Sequence, residues 1–359
     1  MKLTELGWNA FFEAAWNDAE REESKPARVV GENREIWQVC GEFGEARAQV
    51  SGNLRLEAKE GGDWPTVGDW VSVEGCDRTG LLIKRVLPRR TQIVRKEAGK
   101  RIAEQVLAAN VDVVLVVMGL DGDFNLRRLE RYLAQVWESG ARAAIVLNKT
   151  DVCTDPEARI TEVERSAWGV PVAAVSATTG AGMAELLDYL PAGKTAVLLG
   201  SSGVGKSSIV NRLLGEQLQK VQPVRENDSR GRHTTTGRHL LFLENGAMII
   251  DTPGLRELQL WDAESGLERA FADLQELSAR CRFRDCQHQG EPGCAVAVAI
   301  ADGSFDEARL QSHRKLQREQ EFLRRKVDAS AQQKFSHRIK TISRAVKQLY
   351  REREEKGKL

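Results

Sequence analysis

The chain has 359 residues, 41% of them hydrophobic and a further 31 glycine, so its apolar share is about half, as in ordinary folded domains. Disorder of the whole chain is excluded, and at ~150 residues per domain the length predicts two or three domains, each able to bury a core. The formal charge of +1 hides an asymmetry: residues 309–359 carry 16 basic and 6 acidic side chains, the remainder 37 and 46. A basic end on an acidic body points to contact with nucleic acid or another acidic surface, with a solvated helical face as the plainer alternative.

From the N-terminus, Trp8, Phe11, Phe12 and Ala15 recur at helical spacing, which predicts an amphipathic helix packed on a core within an extension over residues 1–29. Acidic Glu5 and Glu13 interrupt the layout of a signal peptide, and the longest apolar run, Val113–Leu120, is far short of the ~20 residues that span a bilayer. Over residues 30–97 the texture becomes short β-type runs, Ile36–Val39, Ala46–Val50, Asp69–Val73, Leu81–Leu87 and Gln92–Arg95, separated by glycines. Five such runs predict a small closed barrel, and composition alone admits an OB-fold or an SH3-like barrel.

Residues 98–262 alternate apolar strands with helical stretches. The strands are Val111–Met118, Ala143–Leu147, Val172–Val175, Ala196–Leu199, Leu240–Leu243 and Ala247–Ile250, a pattern of sheets covered by helices on both faces. Residues 263–359 read as a helical stretch, a Cys/His cluster and a long charged helical region.

The chemistry is concentrated in a few segments. Gly200, Ser201, Ser202, Gly203, Val204, Gly205, Lys206 and Ser207 fill the pattern G-x-x-x-x-G-K-[ST] directly after a strand, and Ser208 opens a predicted helix to Leu214. Such a loop wraps phosphates with backbone N–H groups; Lys206 reaches the outer phosphates, which makes it a catalytic candidate as well, and the Ser207 hydroxyl ligates Mg²⁺. Asn148-Lys149-Thr150-Asp151 follows another strand and selects guanine, because a carboxylate can accept both the N1–H and the 2-amino hydrogens, donors that adenine lacks. Ser176-Ala177, after the next strand, is placed to offer a backbone N–H to the guanine carbonyl.

Asp251-Thr252-Pro253-Gly254 matches D-x-x-G, with Asp251 toward Mg²⁺ through water and the Gly254 N–H toward the γ-phosphate. Upstream, Gly231-Arg232-His233-Thr234-Thr235-Thr236 supplies a threonine hydroxyl for Mg²⁺, Thr235 by preference and Thr234 as the alternative. Leu255 occupies the position where Ras-like enzymes carry a water-orienting glutamine, so free turnover should be slow. His233 is the internal candidate to orient that water, with a loop-stabilising role as the alternative. The base-reading segments precede the phosphate loop, the reverse of ordinary GTPases, which predicts a circular permutation.

Cys281, Cys286, His288 and Cys294 have the spacing C-x4-C-x-H-x5-C, four N/S ligands suited to one tetrahedral structural Zn²⁺; unliganded cysteines are the alternative. Cys40, Cys76 and Cys153 are scattered, so the six cysteines form no disulfide framework, and a reducing, cytoplasmic location is expected.

With the barrel, the permuted order of N-K-T-D before G-S-S-G-V-G-K-S and D-T-P-G, the G-R-H-T-T-T stretch and the Cys/His spacing, the chain resembles the RsgA (YjeQ) family of ribosome small-subunit-dependent GTPases over roughly residues 30–325. The resemblance implies a multidomain protein: an N-terminal OB-fold, a permuted α/β GTPase and a C-terminal α-helical zinc domain. It further implies Mg²⁺ used with GTP, no membrane, and late maturation of the small ribosomal subunit. GTP/GDP, that subunit and its ribosomal RNA are the expected partners of a monomeric chain whose hydrolysis the ribosome stimulates. A GTP-switched RNA-binding regulator with incidental turnover is the second reading. A P-loop kinase is a weaker third, opposed by the base-reading motif.

Overall fold

The computed structural model describes residues 1–16, 24–33, 35–58, 61–76, 80–96, 104–167, 169–215, 238–251 and 264–327. Helix α1 (Ala10–Ala15) starts at Asn9, whose side chain accepts the Phe11 N–H. Trp8 and Phe12 then close on Trp70, the Trp8 and Trp70 rings meeting edge-on at 4.7 Å, and Trp16 packs against Trp8. The aromatic periodicity therefore serves packing at Phe12 and Trp16, which are buried, whereas Phe11, expected on the same face, is 41% exposed.

Five strands form the barrel: β1 (Lys25–Asn33), β2 (Ile36–Gly41), β3 (Gly44–Val50), β4 (Trp70–Cys76) and β5 (Gly80–Val86), with helix α2 (Gly52–Glu57) between β3 and β4. Their order is β1-β2-β3-β5-β4, and β4 pairs back onto β1, so the sheet closes on itself. Every pair is antiparallel except β3 with β5. Val29, Trp37, Val39, Val71, Val73 and Ile83 fill the interior. The strand expected at Gln92–Arg95 lies outside the barrel: β6 (Gln92–Lys96) pairs with β7 (Glu104–Ala109) in a separate two-stranded sheet. The missing barrel strand is β1, which begins ahead of residue 30. Pro26, Arg28 and Gly31 interrupt its apolar run, yet five consecutive residues are buried.

The central domain contains β8 (Val113–Gly119), α3 (Leu126–Glu138), β9 (Arg142–Asn148), α4 (Pro156–Ser166), β10 (Val172–Ala174) and α5 (Met183–Leu187). It continues with β11 (Thr195–Leu199), α6 (Lys206–Leu214), β12 (Arg238–Phe242) and β13 (Met248–Asp251). All six expected strands are present within one or two residues. The order is β10-β9-β8-β11-β13-β12, parallel apart from β12, with apolar clusters on both faces. Strand β8 is buried along its whole length, as a central parallel strand must be.

Strand β12 also pairs antiparallel with β1, Gly31 opposite His239 and Glu32 opposite Arg238, so barrel and central sheet are continuous. Arg28, fully buried at this junction, donates to Thr195 Oγ1 at 2.8 Å and to the Asn110 carbonyl at 3.3 Å, and also to the Leu6 carbonyl. Burial lowers its pKa to about 10.

The C-terminal part consists of α7 (Glu264–Ala270), α8 (Ala272–Ser278), α9 (Ala295–Ala301) and α10 (Glu307–Val327). Leu267, Phe271, Leu274, Val296, Phe305 and Leu310 form its core, which reaches Ala134 of α3. Helix α7 lies against α3, where Glu138 Oε2 accepts from both the Ser265 hydroxyl and the Gly266 N–H at 2.9 Å. The basic region beyond Val327 lies outside the described residues.

Candidate nucleotide site and metal centre

Strand β11 runs at the middle of the sheet and releases the chain into loop 200–205, after which α6 begins at Lys206. The backbone N–H groups at the start of α6 have no helical partner and carry the positive end of the helix dipole, so the turn is suited to phosphate. Ser207 and Ser208 lie exposed on that first turn. Lys206 bends back over the loop, its ammonium donating to the carbonyls of Gly200 and Ser201 at 2.6 Å each. The buried Ser201 hydroxyl has no partner among the described residues.

Asn148, at the end of β9 and 2% exposed, ties this loop to the base-reading segments. Its amide donates to the Val204 carbonyl at 2.8 Å, and its oxygen accepts the Ala177 N–H at 3.0 Å. The approach is close enough to dictate the next residue: a Cβ at Gly205, whose φ is +95°, would lie 2.2 Å from the Asn148 amide nitrogen. Asp151 Oδ1 accepts from the Ser176 hydroxyl at 2.5 Å, and Ser176 Oγ accepts the Thr179 N–H at 3.1 Å. The structure therefore gathers 148–151, 176–177 and 200–208 at one end of the sheet, although they span 61 positions of chain.

Asp251 closes β13, which pairs with β11 through Ile250 and Val197, so its exposed carboxylate stands beside the phosphate loop strand. His233, Thr234, Thr235, Gly254 and Leu255 lie outside the described residues.

Sequence reasoning passed over Asp121, in the turn after β8. Its Oδ2 lies 2.6 Å from the Lys149 ammonium, and Lys149 itself has the left-handed φ of +70°. Hydrogen bonding from that ammonium, above all, holds the Asp121 carboxyl below its usual pKa. The available signal was positional: an acid just beyond the C-terminal end of a parallel strand, where open α/β sheets bind ligands.

In the C-terminal domain, the ligating atoms of Cys281, Cys286, His288 and Cys294 all lie within 4.8 Å of one another. Cys281 Sγ and Cys294 Sγ are 4.0 Å apart, and His288 Nδ1 is 3.7 and 3.4 Å from them. Tetrahedral coordination with ~2.3 Å metal–sulfur bonds sets thiolates about 3.8 Å apart, so the spacing fits. The outer ring nitrogen, Nε2, lies 3.0 Å from Ser278 Oγ, and that hydroxyl donates to the Leu274 carbonyl at 2.7 Å. Nε2–H is then the donor, which leaves Nδ1 free to ligate. Arg314 of α10 clamps the loop through the Gln287 and His288 carbonyls at 2.7 and 3.1 Å.

These features define a circularly permuted P-loop GTPase set between an OB-type barrel and a helical domain with a Cys₃His cluster. A family model described as RsgA GTPase matches residues 86–261. A second, described as 50S ribosome-binding GTPase, matches residues 195–329 and so starts at the first residue of β11, directly ahead of the phosphate loop. The small ribosomal subunit biogenesis GTPase RsgA of Opitutus terrae is 47% identical over 91% of this chain and 92% of its own length. That of Syntrophotalea carbinolica is 42% identical over 98% and 99%. The crystal structure of YjeQ from Thermotoga maritima matches with a TM-score of 0.61 at 28% identity, covering 82% of this chain and 97% of that one. YloQ, described as a circularly permuted GTPase, matches with a TM-score of 0.60 at 22% identity, covering 84% and 96%. The chain belongs to the RsgA GTPase family, and its reaction is hydrolysis of GTP.

Proposed function

We propose that this chain hydrolyses GTP to GDP and phosphate on the small ribosomal subunit during its late maturation, with turnover stimulated by that subunit. The observation that carries the reading is the match, over nearly full length, to relatives named small ribosomal subunit biogenesis GTPases, combined with a base pocket and phosphate loop joined through Asn148.

In this reading Asp151 accepts the guanine N1–H and 2-amino hydrogens, with Ser176 orienting its carboxylate and the Ala177 N–H, shared with Asn148 Oδ1, facing the guanine carbonyl. Residues 200–208 wrap the phosphates, and Lys206 swings from its two carbonyls to the outer phosphates. The Ser207 and Thr235 hydroxyls would hold Mg²⁺, with Asp251 behind water and Thr234 the alternative to Thr235; bound there, the ion would supply positive charge against the phosphates. Gly254 reports the γ-phosphate, and His233 orients the attacking water once its loop is ordered. Cys281, Cys286, His288 and Cys294 would hold one structural Zn²⁺ that closes the 281–294 loop. Barrel and basic tail grip ribosomal RNA, and the chain works as a cytoplasmic monomer.

Leu255, apolar where Ras-like enzymes orient water, favours a second reading in which GTP switches RNA affinity and turnover is incidental. Single-turnover hydrolysis with and without purified small subunits separates the two. Stimulation on the order of 10³-fold or more supports the proposal. Equal rates in both conditions, with nucleotide-dependent subunit binding retained, support the switch.

A further inference from the structure

The turn between β8 and α3 belongs to none of the recognised nucleotide motifs, yet it reaches the base end of the site. Its first link is the sheet itself: Gly119 pairs with Asn148, and the Leu120 N–H donates to the Asn148 carbonyl at 2.8 Å. This places Asp121 opposite Lys149, the residue between Asn148 and the base-reading carboxylate of Asp151. Asp121 is held at both oxygens. Oδ1 accepts the Asp123 N–H at 3.1 Å, and Oδ2 meets the Lys149 ammonium at 2.6 Å. A Cβ at position 119 would lie 2.6 Å from Oδ1, so the glycine there leaves room for the carboxylate.

The pair is of a kind that contributes little to folding. Its two side chains are 35% and 29% exposed, and ion pairs near solvent add little net stability. Its effect on geometry is larger, because an untethered lysine samples many rotamers, whereas here the ammonium is fixed at Asp121. Lysine stems cover apolar surface while their charged ends stay wet. Guanine seated with its edge on Asp151 would lay one ring face along that stem.

We propose that Asp121 is a positioning residue for the guanine base, acting through Lys149: it anchors the ammonium so that the methylene stem forms a fixed wall for one face of the purine. The proposal rests on the reading of 148–151 and 176–177 as the base site. Because Asp121 lies at the base end, it acts equally on GTP and GDP.

The test uses the full-length protein and GDP or GTP carrying a ribose-linked fluorophore. Asp121→Asn, which keeps the shape and removes the charge, should raise both dissociation constants by the same factor, roughly tenfold, the scale of one charge-assisted hydrogen bond lost in part. KM for GTP should rise more than kcat falls. Asp121→Glu should restore part of the affinity, and the unfolding midpoint of the nucleotide-free protein should stay put. In a cycle with Lys149→Met, Asp121→Asn should cost nothing further once the lysine is gone.

Unchanged affinity in Asp121→Asn, additive losses in the cycle, or a loss for GTP alone would each overturn the proposal. Asp151→Asn, run beside it, tests the reading beneath. If it too keeps full guanine-nucleotide affinity, the base site is misplaced; if it loses affinity while Asp121→Asn does not, the positioning role alone fails.

Discussion

Arg309→Met tests how the C-terminal domain is held to the GTPase domain. Arg309, on α10, is 7% exposed and lies over the Phe271 ring. Its guanidinium donates to Glu130 Oε1 of α3 at 2.9 Å, to both Asp273 oxygens at 2.8 Å and to the Ala270 carbonyl at 2.8 Å. Methionine keeps much of the stem and removes every donor. Asp273, with its side chain 41% exposed, can rehydrate. Glu130 cannot: its side chain is 1% exposed, and Oε2 has no partner among the described residues. Breaking a buried pair costs ~3–5 kcal/mol, and Arg127, still 2.6 Å from Oε1, lowers the expected loss to ~2–4 kcal/mol.

Adding Glu130→Gln removes the stranded charge, so the double variant should be more stable than Arg309→Met by ~1–2 kcal/mol. Urea unfolding of zinc-loaded protein, followed by tryptophan fluorescence, reads the first transition, because Trp137 of α3 packs against the C-terminal core. A loss below about 1 kcal/mol, or a double variant no better than the single, would refute the assignment of Glu130 as the costly group.

Asp151→Asn should weaken GTP binding by several orders of magnitude and favour xanthine nucleotide, whose 2-oxo group suits an amide donor; competition binding checks both. Chelation, or Cys286→Ser, should unfold the C-terminal domain in circular dichroism while labelled GDP still binds, and metal analysis of native protein should find one zinc per chain. Burial, aided by Arg309, His288 and Arg314, lowers the pKa of His313 from 6.5 to about 4. That imidazole must take up a proton on unfolding, so its stabilising contribution is full above pH 6.5 and is lost as pH falls toward 4. His313→Phe should therefore lose less stability than the parent between pH 7 and 5. Equal slopes would rule His313 out.

What could be read from the sequence follows from where the constraints lie. The phosphate loop and N-K-T-D are legible because their chemistry fixes residue type and spacing within a few positions. Strand β8 is legible because both of its faces must be apolar. Strand β1 was hidden, since Arg28 interrupts its apolar run and is accommodated only by acceptors far away in sequence, such as Asn110 and Thr195. Strand β6 misled because its β character is real but its partner is β7, and the barrel closes through β1 and β4. Asp121 and Lys149 are 28 positions apart, and Glu130 and Arg309 are 179 apart; no local pattern encodes either pair. The charge count at the basic end also overstates what faces outward, since Arg309 is buried in an ion pair and Arg314 is committed to the Cys/His loop.

The two flanking domains attach to the GTPase domain by different physics. The barrel joins by extending the sheet: His239 of β12 is in register with Asp251 on one side and Gly31 of β1 on the other. Arg238 adds an ion pair to Glu32 at 3.3 Å and donates to the Val106 carbonyl at the same distance. Directional ladder bonds of this kind fix register and leave little freedom to slide. The C-terminal domain instead docks on α3 through side chains, by Arg309 with Glu130 and by the two-pronged Arg131 to Glu319 contact at 2.7 and 2.8 Å. Apolar packing backs these contacts, since Ala134 and Trp137 of α3 meet the C-terminal core, and a Cβ at Gly266 would lie 2.0 Å from the Ala134 carbonyl oxygen. A change at Asp251 therefore meets a barrel tied to it by a single intervening strand, whereas the Cys/His domain is reached through the packed side chains of a helix face.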